Sequence, residues 1–272
     1  MKAIIASSLF ALFLGLALLG DDKPLQPIPF HEVEMTSDFW RPRLITQRKV
    51  LVPFAFEKTQ RGVEHLQTAA DFLAGKKVEG HRAHRFIDSD LYKVMEGAAY
   101  LAQLQDDPEL EAQFDRIVDV IAAAQEPNGY LYPSHTTGVG TERNMMGNEP
   151  YTFVVHSHEL YNMGHLYEAA IAYYQATGKR KFLAVALNNA NLIDSVFGPD
   201  KIRDVPGHQE IEIGLAKLYR ATGEEKYLNL AKFFLNERGN DQVRNTYGDY
   251  CQDHKPVLEQ EEAKGHAVRA VY

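Results

Sequence analysis

A single cysteine, Cys251, occurs among 272 residues, so no disulfide can close within the chain. In an exported protein a lone cysteine is a buried small apolar residue, a free thiol, or half of a site completed elsewhere. Neither a His-Glu-x-x-His run nor a Cys-x-x-Cys pair occurs, and those are the local spacings of a self-contained metal site. We therefore expect no metal ligands and no cofactor in this chain. Positive charge is also scarce: 29 Lys and Arg face 37 Asp and Glu, for a net charge of −8. An acidic balance argues against nucleic acid and against anionic membrane surfaces as partners. No block of like charge forms a binding tail.

Long apolar runs are missing except at the start, where Met1 and Lys2 precede a stretch from Ile4 to Leu19. That is shorter than the roughly 20 residues a spanning helix needs. We read residues 1–20 as a secretory signal peptide, which places the protein in the secreted or periplasmic space without stable membrane insertion. Leu18 is a poor residue three places before a cut at Gly20, which leaves an uncleaved anchor as the alternative. Residues 21–52 read as an extended, proline-containing arm that turns helical from Arg43. The only tryptophan, Trp40, lies in this arm. It either packs onto the helices or offers a face to a sugar ring.

What the chain does have is a repeated helical hairpin. Leu166 to Phe197 and Ile211 to Arg238 match each other, with Ala-Thr-Gly triplets about 45 residues apart at Ala176 and Ala221, a period typical of stacked supersecondary units. In each copy an apolar-periodic helix ends at a glycine, Gly178 or Gly223, suited to the left-handed residue that closes a helix, and a second helix follows at once. A divergent copy precedes them. Leu91 to Gln103 is its first helix, Asp106, Asp107 and Pro108 make the turn and cap, and Glu109 to Ala124 returns. A further copy starts at Ala263. Residues 53–272 therefore read as an all-α toroid of helical hairpins, incomplete at its C-terminal end. Between Tyr132 and Pro150, with Thr136, Thr137 and Thr141, runs the longest irregular loop, of a length that often serves as a lid or binding wall.

Polar clusters recur where each first helix begins. Asp88-Ser89-Asp90 precedes Leu91, His156-Ser157-His158-Glu159 precedes Leu160, His208-Gln209-Glu210 precedes Ile211, and Gly265-His266 precedes Ala267. If first helices line the inside of a ring, all four clusters face one mouth. His158, His208 and His266 are the candidate substrate-binding residues. Their rival role is to cap or bridge helix ends, and Asp88, Asp90, Glu159 and Glu210 have the same rival reading through the helix dipole. His158 and His165 share a helix face at a spacing of seven, too far apart for one ion without a ligand from elsewhere. His81 and His84 read as a solvated loop pair. No carboxylate couple of the kind glycosidases use stands out.

Four of these runs, Phe86-Ile87-Asp88-Ser89-Asp90-Leu91-Tyr92-Lys93, His158-Glu159-Leu160-Tyr161-Asn162-Met163-Gly164-His165, Pro206-Gly207-His208-Gln209-Glu210 and Gly265-His266-Ala267-Val268-Arg269-Ala270, together resemble glycoside hydrolase family 127, the β-L-arabinofuranosidase-like enzymes. The resemblance extends from about Val33 to the last residue. It implies an (α/α)6 barrel followed in complete members by β-sandwich domains, a carbohydrate substrate, and removal of non-reducing terminal L-arabinofuranose or a related sugar. It also implies sugar contacts for His158, His208 and His266. The cysteine nucleophile, the glutamate acid/base and the zinc held by glutamate and cysteines match positions after Tyr272, so on this resemblance no catalytic residue is expected in this chain, and zinc belongs to a longer form. Cys251, upstream of the His266 run, is not the nucleophile. The rival readings are a non-catalytic sugar-binding fragment and another exported α/α-toroid enzyme, such as a polysaccharide lyase or a sugar epimerase.

Overall fold

In the computed structural model, residues 28–79, 84–104, 107–138 and 145–272 are described. The signal-peptide reading, and His81, Asp106 and Thr141, lie outside these residues. Contacts divide the chain into two units, Met1–Val33 and Glu34–Tyr272. Of the first, only a 3-10 turn at Phe30–Glu32 is formed among the described residues.

The second unit is helical. Helix α1, Arg41–Thr46, starts on Pro42, whose missing N–H costs nothing at a helix start. It continues through a π-helical turn, Gln47–Leu51, into α2, Val52–Lys58, so the arm expected to turn helical from Arg43 does so from Arg41. Helix α3 is Gln60–Leu73, α4 is Ile87–Leu104 and α5 is Pro108–Ala124. Asp107 caps α5 by accepting from the Leu110 N–H at 3.0 Å. Two single-turn helices follow in the irregular region, α6 at Pro133–Thr136 and α7 at Val154–Ser157. Then come α8, Glu159–Thr177, α9, Lys181–Val196, α10, Ile211–Thr222, and α11, Glu225–Glu237. Helix α12, Ala267–Val271, closes the chain. Gly178 and Gly223 end α8 and α10 at φ 72° and 75°, where a Cβ would be strained.

The helices form two rows. Helix α8 packs between α4 and α10, while α9 packs against α5 and α11, and α3 leans on both α4 and α5. Phe114 of α5 stacks on Tyr173 of α8 with centroids 4.7 Å apart, joining the rows. Helix α8 is buried on every side from Glu159 to Tyr173, as expected for an inner helix covered by neighbours all round. Its Leu160, Met163, Leu166 and Ile171 each add roughly 1.5–3 kcal/mol of burial. No sheet exists among the described residues, which hold only two isolated bridges, Phe197 with Ile202 and Gly248 with Asp253. This is an α/α toroid architecture. Trp40 is only half covered, at 50 % exposure, and its ring meets Phe39 edge-on at 5.0 Å.

Inner helices approach closely where glycine permits. A Cβ on Gly214 would stand 2.7 Å from the Gly164 carbonyl oxygen. A larger residue at either place would push α8 and α10 apart.

Candidate functional site

The starts of α8, α10 and α12 converge. His158 and His208 have ring centroids 5.8 Å apart, and His208 and His266 6.4 Å. Tyr161, one turn into α8, lies 4.3 Å from His208, and Tyr272 lies 5.3 Å from it. The three histidines named from the sequence therefore form one cluster, with two tyrosines that sequence reasoning did not single out. Lys93 of α4 donates to the Tyr161 hydroxyl at 2.8 Å.

Backbone geometry aims these rings. His158 sits at φ 62° and Glu210 at φ 157°, both regions that disfavour a residue with a Cβ and cost on the order of 1–3 kcal/mol each. Such strain persists only where surrounding packing over-determines it. Gly207, just before His208, explains part of the constraint, since a Cβ there would stand 2.0 Å from the Val155 carbonyl oxygen.

Hydrogen bonds fix the tautomers. His158 Nδ1–H donates to the His156 carbonyl at 2.7 Å, and His208 Nδ1–H donates to the Gln209 carbonyl at 2.8 Å. Each therefore keeps Nε2 as a lone-pair acceptor. Burial pushes His158 down to about 3 and His208 down to about 4, so both are neutral over the ordinary pH range. His266 is the reverse case. Its Nδ1 accepts from the Arg269 N–H at 3.5 Å, capping α12, so the proton sits on Nε2. Two acceptors and one donor, among aromatic rings, suit a polyhydroxylated ligand.

Other polar groups near the helix starts are spent on structure. The Glu159 carboxylate accepts from Tyr130 Oη at 2.5 Å, Ser157 Oγ at 2.6 Å and the Tyr151 N–H at 3.0 Å. Asp88 Oδ1 meets His65 Nδ1 at 2.7 Å, and Ser134 Oγ lies 3.3 Å from His65 Nε2. This set copies the order of a Ser-His-Asp triad, but all three are buried and the Ser134 hydroxyl donates to the His84 carbonyl at 2.8 Å. Cys251 is a buried free thiol. Burial pushes it up, and its sulfur accepts from Arg269 at 3.0 Å. The sulfur-held zinc that the resemblance implied does not fit these residues, because the one thiol already faces a guanidinium.

The expectation that this chain holds no metal ligands is overturned. His165, Glu168 and Glu210 are buried and offer one ligand atom each, all within 4.8 Å of one another. His165 Nδ1 lies 3.5 Å from Glu168 and 3.2 Å from Glu210. Burial lowers His165. Burial, then the neighbouring Glu168, raises Glu210. For Glu168 burial works upward, but contacts with His165, Glu210 and Lys217 outweigh it and hold the carboxyl low. A search by local motif missed this cluster because its third member comes from another helix start. The available signal was the His165-x-x-Glu168 pair, which shares a helix face.

The β-L-arabinofuranosidase, GH127 catalytic domain family matches residues 32–272. The chain belongs to glycoside hydrolase family 127. It is 36 % identical over 281 residues to the non-reducing end β-L-arabinofuranosidase of Bifidobacterium longum subsp. longum, covering 88 % of this chain and 42 % of that protein. A solved GH127 β-arabinofuranosidase superposes with TM-score 0.81 at 43 % identity, over 92 % of this chain and 39 % of its own. A GH127 β-L-arabinofuranosidase from Geobacillus stearothermophilus T6 does so with TM-score 0.76 at 35 % identity, over 88 % and 40 %. This GH127 chain thus spans about two fifths of the length of those relatives.

Proposed function

We propose that the chain forms the sugar-binding wall of a GH127 glycosidase acting on non-reducing terminal L-arabinofuranose, and that it works outside the cytoplasm. The observation that carries this reading is the arrangement of His158, His208 and His266. Two neutral imidazoles present Nε2 as acceptors and a third presents Nε2–H as a donor. A furanose offers hydroxyls on adjacent carbons that both donate and accept, and the tautomers, locked by backbone partners, add orientation at little entropic cost. Family membership and the β-L-arabinofuranosidase names of the relatives support the substrate class. Bond cleavage requires an acid and a nucleophile or base on opposite sides of the glycosidic bond. In this proposal those groups come from a part of the family domain that this chain does not cover. Export rests on the sequence from Met1 to Leu19.

The test is a titration of the chain with methyl β-L-arabinofuranoside, read by NMR shifts of the histidine Cε1–H signals, beside a hydrolysis assay on an aryl β-L-arabinofuranoside. Saturable shifts confined to the three histidines, without release of the aryl group, are expected. Equal response to a uronic-acid oligosaccharide would favour a lyase-like site and remove the proposal.

A further inference from the structure

We infer that His165, Glu168 and Glu210 form a divalent transition-metal site, zinc being the first candidate, that ties the middle of α8 to the start of α10.

The division of labour among atoms supports this. His165 uses Nε2 to meet the Tyr272 hydroxyl at 3.2 Å, while Nδ1 has no hydrogen-bond partner among the described residues. Glu168 gives Oε1 to Lys217, and its Oε2 faces His165 Nδ1. Glu210 is wholly buried, and its carboxylate meets no well-aligned donor among the described residues, only His165 Nδ1 at 3.2 Å and the Glu168 carboxyl group. One nitrogen and two carboxylate groups are thus left over, all directed at the same small volume. Orphaned buried carboxylate oxygens are costly and rare. An ion would satisfy them. The outer contacts, Tyr272 on the histidine and Lys217 on the carboxylate, fix the orientation of the ligand groups.

Charge agrees. The group contains the carboxylates of Glu96, Glu168 and Glu210 and the ammonium of Lys217, which bridges Glu96 at 3.0 Å and Glu168. Lys93, which also acts on His165, adds a second positive charge, so with all three acids ionised the carboxylates outnumber the ammonium groups by one and a cation is favoured there. The single nitrogen disfavours calcium and magnesium, which take oxygen ligands, and suits zinc or manganese. Around one zinc with bonds of about 2.0–2.2 Å, ligand atoms at tetrahedral angles lie about 3.3–3.6 Å apart, a spacing close to that of His165 Nδ1 from Glu168 at 3.5 Å and from Glu210 at 3.2 Å. The strained φ of Glu210 brings its carboxylate to the α8 ligands and would be repaid by the metal bonds. This site is separate from the histidine cluster's proposed sugar role and does not depend on it.

The experiment is equilibrium dialysis of the EDTA-treated, desalted full chain against Zn²⁺, with bound metal counted by mass spectrometry, and a parallel Co²⁺ titration read by visible absorption. One ion per chain is expected. Glu210→Gln and Glu168→Gln should each weaken binding at least tenfold while leaving the helical circular-dichroism spectrum intact. Cobalt should give d–d bands without a thiolate charge-transfer band. No bound zinc, stoichiometric binding unchanged in both variants, or a thiolate band that vanishes in Cys251→Ser would each overturn the inference. The cobalt spectrum of the unsubstituted chain decides the matter even if a variant fails to fold.

Discussion

Gly164 and Glu210 are placed so that a Cβ on the glycine would stand 2.5 Å from Glu210 Cγ and 2.7 Å from its carbonyl carbon. A larger residue would meet both the backbone of Glu210 and the base of its side chain, not a movable side-chain end. The absent side chain at Gly164 on α8 is therefore what lets the acid at the start of α10 lie beside His165.

Gly164→Ala should destabilise the chain by about 1–3 kcal/mol, the usual range for overpacking. Gly97 of α4 is the control, since nothing lies within 4 Å of its hypothetical Cβ. Gly97→Ala should be neutral or stabilise by up to about 1 kcal/mol through helix propensity. Urea unfolding of both variants followed by circular dichroism checks the contrast, and equal effects would show that the α8–α10 approach is not tight.

His158→Ala and His208→Ala should each weaken arabinofuranoside binding about tenfold, the value of a lost net hydrogen bond of roughly 1–1.5 kcal/mol. Calorimetry on folded variants is the measurement. Full affinity in either variant would leave that histidine as a mere helix-end group.

His158 gives a pH dependence of definite sign. Burial moves it from 6.5 in the unfolded chain to about 3 in the folded one. Below about pH 6.5 the unfolded chain takes up a proton that the folded chain refuses, so stability falls as pH drops from there toward about 3. Above 6.5 this residue contributes no slope. NMR of its Cε1–H should show no titration between pH 5 and 8, and a midpoint near 6.5 would contradict the burial.

Cys251 should resist thiol reagents in the native chain. Its thiol is buried, raised, and in contact with Arg269, and the thiolate is the reactive form. Ellman's reagent should label it only in denaturant, and rapid native labelling would mean that the Gly248–Gln252 region opens.

Local chemistry made much of this legible. The glycines at 178 and 223, the cap at Asp107 and the apolar periodicity of α10 each act within one or two helical turns, and such signals survive in a linear reading. The recurrence of polar residues before each first helix pointed to three histidines whose rings lie side by side. Trp40 was open to two readings because a large aromatic is usually covered, and only the three-dimensional course of residues 34–41 shows that this one is half exposed. The metal expectation failed for a similar reason. Searching for ligands at fixed local spacing cannot find Glu210, which reaches His165 from another helix across an approach made possible by two glycines.

By itself the sequence determined the helical hairpins, their caps and their order, because helix formation and termination depend on neighbours three or four residues away. It also determined which residue types stand at the mouth. The tertiary structure alone decided which ring nitrogen each histidine keeps for a ligand, that Glu159 and Asp88 are consumed by internal hydrogen bonds, and that His165, Glu168 and Glu210 meet. Those outcomes depend on distances between helices, and these are set by how side chains and missing side chains fill the space where α8 crosses its neighbours.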